Sequence, residues 1–417
     1  MRIAGKTLVV LGGGVGGLVV ANELRRLLPE PHRIVLIDKD LRHAFAPSFL
    51  WVMVGRRHPE RIVRDLRALV HRGVEVMQAE VIGIDVKAGR IETTRGPIHY
   101  DFLVIALGAE LVPESVPGLA EAAYTFYTWD GAVKLYEALR AFPNTGGVVA
   151  ILVCSTPYKC PGAPHEGAML IADYFRRRGL TGRVELHLFT PEPQPMPVAG
   201  PILGRAVEEM LQARGIAFHP LHKVAAVDGA ARELLFEGKG SVPFDVLVAV
   251  PPHQSPRVVR ESGLTNETGY VPVDPKSLRT SYDRVYAIGD VTAIPLPGRW
   301  KPDVPLMLPK AGVFAHAQAK VVAQRIAAEV AGTSPADEFC GDGYCMLEAG
   351  EGMAGYAFGN FFAEPAPQVE LRQLGRAWHW GKVLFEQWWL APPGPRREML
   401  WAVVSLGARW LGVPVVT

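Results

Sequence analysis

Cys160 stands in the run Tyr158-Lys159-Cys160-Pro161-Gly162-Ala163-Pro164-His165-Glu166, just before a helix predicted from about Pro164 to Arg178. The lysine beside it and the helix N-terminus ahead of it both favour a thiolate, the nucleophilic form of sulfur. Cys345 follows 185 residues later, in Gly343-Tyr344-Cys345-Met346-Leu347-Glu348. Glu166 opens the helix and is a candidate proton acceptor, although an acid in a first helical turn more often only partners the helix dipole. Cys154 ends an apolar strand and reads as a small packed hydrophobe. Cys340, five residues before Cys345, is near enough in sequence to exchange with it. His165, His316 and His379 have no metal-ligand spacing, and no metal is assigned.

These residues need elements to hold them. Residues 7–38 read as a strand, a glycine turn, a helix and a second strand ending at Asp38. Gly12, Gly14 and Gly17 form the Gly-x-Gly-x-x-Gly pattern, with the acid 21 residues beyond the last glycine. The first glycine permits the turn, the second lets amides approach a pyrophosphate, and the third lets helix pack on strand. Asp38 is placed to accept from a ribose hydroxyl. Asp101–Ala109 is a second buried strand ending in small residues, and Arg284–Asp290 a third, closing on Gly289-Asp290 before the helix Lys310–Ala328.

A second βαβ unit begins at Gly147, with strands over Val148–Val153 and Val184–Phe189. The turn after its first strand, from Cys154 to Glu166, lacks the glycine pattern and holds three prolines. Prolines remove the amide donors that a pyrophosphate needs. This unit is therefore expected to have lost NAD binding. Phe339–Leu347 and Gly355–Phe362 read as antiparallel strands of a third region.

The strand and glycine signatures resemble those of the FAD-dependent pyridine nucleotide–disulfide reductases, where a Gly-Asp aspartate binds the ribityl chain. The Lys159-Cys160-Pro161 turn and the later Cys345 narrow the resemblance. They are similar to the redox cysteines of sulfide:quinone oxidoreductases and of the flavoprotein subunit of flavocytochrome c sulfide dehydrogenase. FAPSFLWVMVG at 45–55, GYVPVD at 269–274, LPKAGVFAHAQA at 308–319 and KVLFE at 382–386 extend it over most of the chain. The resemblance implies an α/β fold with two Rossmann-like domains, one FAD-binding and one with a degenerate NAD site, plus a C-terminal interface and membrane-attachment region. Residues 1–112 and 251–334 would form the FAD domain, 113–250 the second domain and 335–417 the C-terminal region.

By the same resemblance FAD is bound noncovalently by Gly12, Gly14, Gly17, Asp38, Lys39, Ala106, Gly108, Gly289, Asp290, Lys310 and Gly312. Cys160 and Cys345 become a redox pair attacked by sulfide, and Lys382 and Phe385 fall on the quinone side. A third cysteine that several members carry is missing from Tyr124–Asp130. A structural bridge is the competing reading of the pair, contributing roughly 4–5 kcal/mol by loop entropy. A type II NADH:quinone dehydrogenase shares the architecture but needs a glycine pattern after Val153. The flavocytochrome subunit is exported, which the N-terminal MRIAGKTLVV, with no signal-peptide pattern, does not match.

Composition limits the rest. The 417 residues are 49% hydrophobic with a net charge of +2, ordinary for a multidomain globular chain and without an electrostatic case for nucleic acid. Four cysteines are too few for a secreted disulfide framework. Six of the nine tryptophans fall in the last 40 residues. There Arg397–Val416 can be laid on a helix carrying Glu398, Ser405 and Arg409 on one face. Trp at interfacial positions and Arg396–Arg397 at one end suit a helix lying on a membrane. The expected setting is peripheral, on the cytoplasmic face of the cell membrane. The expected partners are sulfide, a membrane quinone and lipid, with a homo-oligomer left open.

Overall fold

The computed structural model describes residues 5–414. Thr7–Leu11 is buried at four of its five residues, and Phe102–Ile105 and Val285–Ala287 are buried throughout. Runs apolar on both faces need cover on both sides, the condition for a parallel sheet. The sheet order is Val285–Ala287, Phe102–Ile105, Thr7–Leu11, Arg33–Asp38, Val74–Gln78, and every pairing is parallel. Leu11 sits opposite both Ile37 and Ile105. Gly12, Asp38 and Ala106 therefore emerge together at the carboxyl edge, where such sheets bind ligands. The helices Val15–Leu27 and Gly312–Val330 pack together over one face, and a meander over Val81–His99 covers the other.

A second parallel sheet has the order Ile216–His219, Val184–Phe189, Gly147–Val153, Val246–Val250. Its crossover helix, Ala163–Arg177, starts just after the Cys160 turn. Where the chain crosses between the two units, Glu110–Leu111 pairs antiparallel with His253–Gln254. The fold is α/β, with two Rossmann-like sheets and a C-terminal region of three antiparallel strands followed by two helices.

The C-terminal elements differ in detail from the sequence expectation. Its strands are Asp342–Gly350, Met353–Asn360 and Gln368–Gly375. The last was not anticipated, because its alternate residues Gln368, Glu370 and Arg372 are polar and one face is open to solvent. Helices follow over Arg376–Trp389 and Pro395–Trp410. The second stops at Trp410 rather than running to Val416. Gly412 adopts a left-handed φ of 63°, the usual glycine stop after a helix, and residues 415–417 lie outside the described residues. Among the described residues no helix is long and apolar enough to cross a membrane.

Candidate functional site: a flavin cradle and a cysteine pair

The glycine turn is shaped by contacts that no side chain tolerates. A Cβ at Gly12 (φ 96°) would lie 2.4 Å from the Ala106 carbonyl oxygen, and one at Gly17 would lie 1.8 Å from that of Gly12. Gly14 and Gly108 border open space. Asp38 accepts from the amides of Gly13 at 2.6 Å and Asp40 at 2.8 Å. Lys39 is exposed beside it. Further along the edge, Gly289 donates to Gln318 at 2.7 Å. The next residue, Asp290, has a solvent-shielded Oδ1 with no hydrogen-bond partner. Burial raises its carboxyl above the ordinary range, opposed by Lys159 and Lys310. Lys310 donates to the Asp290 and Thr292 carbonyls at 2.8 and 2.9 Å. Burial pulls its ammonium down to about 8, against the attraction of Asp290. Gly312 opens the helix beside Val15.

The Cys160 turn is fastened to this edge. The Cys160 amide donates to the Lys310 carbonyl at 2.7 Å, and its own carbonyl accepts from Ala163 and from the Tyr127 hydroxyl at 3.4 Å. Cys160 has φ 53°, a left-handed conformation costing a non-glycine residue about 1–3 kcal/mol. Cys345 arrives on the strand Asp342–Gly350. Gly162 lets that strand approach: a Cβ there would sit 2.9 Å from Leu347, 3.5 Å from Cys345 Sγ and 3.6 Å from Glu166 Oε1. The structure thus places Cys160, Cys345 and Glu166 around one point.

The expectation of a depressed Cys160 thiol is corrected. Burial pushes Cys160 up to about 12 and raises Cys345 well above its ordinary range. Lys159 reaches away, donating to the Ala109 carbonyl at 3.2 Å, so it does not activate the sulfur. The cation that opposes burial at both thiols is Lys382.

Lys382 is buried against Glu166, with Nζ 2.5 Å from Oε2, and donates to the Met346 carbonyl at 3.1 Å. Burial alone would lower its pKa, but Glu166 and Glu348 hold the ammonium charged. Burial in turn lifts the Glu166 carboxyl, against the pull of Lys382 and the Glu348 amide. Lys382 therefore belongs to the cysteine site as well as to the C-terminal helix. Phe385, one turn on, packs with Phe45, Trp388 and Trp389. Cys340 is exposed, its Sγ near the Glu338 carbonyl. Cys154 is buried among Ala150, Leu152 and Phe189.

The sequence profile of the pyridine nucleotide-disulphide oxidoreductases matches residues 6–319. The chain belongs to this family. A mitochondrial sulfide:quinone oxidoreductase of Dictyostelium discoideum is 29% identical over 304 residues, 69% of this chain and 66% of that protein. The sulfide-quinone reductase of Aquifex aeolicus is 28% identical over 398 residues, 92% of this chain and 90% of the relative. A solved structure of the Aquifex aeolicus sulfide:quinone oxidoreductase matches with a TM-score of 0.83 at 28% identity, over 92% of this chain and 90% of that one.

This pyridine nucleotide-disulphide oxidoreductase is an FAD-dependent enzyme. Its residues fit the cofactor. The unpartnered Asp290 Oδ1 suits a ribityl hydroxyl, and the open space beside Gly14 suits a pyrophosphate.

Three features of this oxidoreductase escape sequence reasoning. Tyr158 donates to Glu192 at 2.8 Å, and both are buried. His253 Nδ1 lies 2.7 Å from the Pro251 carbonyl. That oxygen only accepts, so Nδ1 carries the proton and the unpartnered Nε2 presents a lone pair. Glu348, the acid after Cys345, pairs with His379 at 2.9 Å. None of these contacts has a local motif, although Tyr158 and Glu348 stand in the two cysteine segments. Among the described residues no group of three or more His, Cys, Asp or Glu side chains is arranged to hold a metal ion.

Proposed function

We propose that the chain is a peripheral-membrane sulfide:quinone oxidoreductase. The observation that carries this reading is the Cys160 turn, hydrogen-bonded to the Lys310 carbonyl of the flavin edge and facing Cys345. Relatives bearing that enzyme's name cover up to 92% of the chain, which supports the same reading.

Cys160 and Cys345 stand as free thiols in this structure; in the oxidised enzyme they form a disulfide, and hydrosulfide attacks it. The S–S bond breaks, one sulfur becomes a persulfide and the other leaves as a thiolate carrying the electron pair. Glu166 takes the proton when H₂S is the incoming species. A thiolate whose thiol has a raised pKa is intrinsically the stronger nucleophile and donor. FAD, when held in this cradle, would supply the two-electron redox chemistry that links the cysteine pair to quinone. Lys310 and Lys159 place positive charge at the Asp290 end of the cradle. The aromatic group of Phe45, Phe385, Trp388 and Trp389 is assigned to the quinone side. Successive turnovers lengthen the bound sulfur to polysulfide before release.

The membrane assignment rests on one stripe. Met399, Val403, Leu406 and Trp410 recur at helical spacing and are exposed by 61, 47, 69 and 86%. An outward apolar stripe of this kind suits an interfacial helix, and the cytoplasmic face is retained as the expected side. Against a type II NADH:quinone dehydrogenase stands the Tyr158–Glu192 contact.

Stopped-flow absorbance tests the reading. Sulfide should bleach the flavin band, quinone should restore it, and NADH should do neither. Rapid bleaching by NADH with none by sulfide would replace this assignment with the dehydrogenase.

A further inference from the structure

Glu348 and His379 form a second buried pair beside Glu166 and Lys382, one that the chemistry above leaves unused. The Glu348 side chain is fully buried, whereas His379 keeps 16% exposure. His379 Nδ1 lies 2.9 and 3.0 Å from the two Glu348 carboxylate oxygens. A carboxylate only accepts, so Nδ1 carries a hydrogen and Nε2 is the nitrogen left to exchange a proton. The Glu348 amide donates to Glu166 Oε2 at 2.9 Å, the oxygen that also accepts from Lys382. One ammonium is thus shared by Glu166, Glu348 and the cysteine pair. The charged groups facing His379 are Glu348 from the strand and Lys382 one turn along its own helix. Trp51 meets its ring edge-on at 5.8 Å, with Arg57 stacked on that indole at 4.3 Å. Trp380 lies at 5.9 Å.

The inference rests on the sulfide reading. Hydrosulfide brings one negative charge into a buried site. HS⁻ plus the disulfide yields a persulfide and a thiolate, the electron pair of the broken bond staying on the leaving sulfur. Charge is conserved but now lies in a medium that penalises it. The new thiolate competes for Lys382 and leaves Glu348 less compensated.

We propose that His379 is a positioning residue for this step. It takes a proton from water at Nε2 as the thiolate forms and returns it when the electron pair leaves for the flavin. H₂S is then delivered in two parts, HS⁻ to sulfur and H⁺ to His379, and the cluster gains no net charge.

Two arms test this on the full-length, FAD-loaded protein. The first needs no sulfide. In ¹³C-histidine-labelled protein, the His379 signal, assigned by its loss in His379→Gln, is titrated before and after sulfite, which opens a disulfide to an S-sulfonate and a thiolate. Cys345→Asp places a carboxylate there without redox chemistry. In both, the His379 midpoint should rise by about one pH unit, a tenfold gain in proton affinity. An unmoved midpoint in both overturns the proposal.

The second arm compares the pH profile of sulfide-driven flavin reduction in wild type, His379→Gln and Glu348→Gln. Both variants should keep FAD, run several-fold slower and lose the alkaline limb, and added imidazole should restore part of the rate to His379→Gln. Identical profiles overturn the proposal. Wild type that sulfide does not reduce, while the His379 midpoint still shifts, would discard sulfide as substrate and leave the coupling standing.

Discussion

Tyr158 donates its phenol to Glu192 across 2.8 Å, and Thr190 donates to the same carboxylate oxygen at 3.2 Å. Tyr158 belongs to the turn after the first strand of the second unit and Glu192 follows its second strand. In a dinucleotide-binding unit those positions cradle the pyrophosphate and bind the ribose. Here they bind each other, and the turn carries Cys160 instead. Tyr158→Phe should cost about 1–3 kcal/mol of stability, because it leaves buried Glu192 short of a donor. Denaturant unfolding checks this.

Cys160→Ser and Cys345→Ser should each slow sulfide-driven flavin reduction at least about 100-fold while FAD stays bound, since one sulfur accepts sulfide and the other must leave. A merely structural bridge would instead lower the melting temperature and preserve turnover. Cys154→Ser and Cys340→Ser serve as controls, and inactivity of Cys340→Ser with normal Cys345→Ser would reassign the partner.

Lys382→Met should destabilise by about 3–5 kcal/mol near neutral pH, because Glu166 is left buried without its cation. The sign follows from burial, which already lifts the Glu166 carboxyl above its ordinary 4.5. Without Lys382 it rises further. Below 4.5 the carboxyl is protonated folded or unfolded, so the penalty is small. It grows as pH climbs toward the folded-state value. Unfolding at pH 5 and pH 8 should show the larger loss at pH 8.

Asp290→Ala should lose FAD during purification, read as a fall in flavin absorbance relative to protein. Asp290→Asn keeps an acceptor oxygen and should retain more. Full flavin content in the alanine variant would remove Asp290 from the cofactor site.

Val403→Glu with Leu406→Glu should shift the protein from membranes to supernatant without slowing flavin reduction by sulfide. Both side chains are outward, so the fold loses little, while their apolar area no longer contributes membrane affinity. Sedimentation with liposomes measures it.

The glycine turn was legible because backbone geometry imposes its residues. Gly12 and Gly17 admit no Cβ, and a run such as Thr7–Leu11 has few alternatives to a buried strand. The cysteine site was legible only in part. Cys160, Cys345 and Glu166 carry local motifs, but Lys382 reaches Glu166 from 216 residues away, and no local pattern encodes that meeting. Lys159 misled for the converse reason: adjacency in sequence does not set where a long side chain points. The strand Gln368–Gly375 was hidden by its solvent-facing polar residues. His253 shows nothing in sequence, since its unpartnered nitrogen is defined by the carbonyl it meets.

Trp389 donates its indole N–H to His43 Nε2 at 2.8 Å, and His43 Nδ1 lies 2.9 Å from the Gly13 carbonyl inside the glycine turn. An early segment of the chain is thereby braced by one synthesised 346 residues later. Through these bonds, any gain that loading of the turn gives to seating of the Arg376–Trp389 helix is returned by the same factor, because coupling between two equilibria is reciprocal. Flavin capture at full strength is therefore expected to wait until the ribosome has made the C-terminal helix. A chain truncated before Trp389 would emerge with its first Rossmann unit complete and still hold its cofactor loosely.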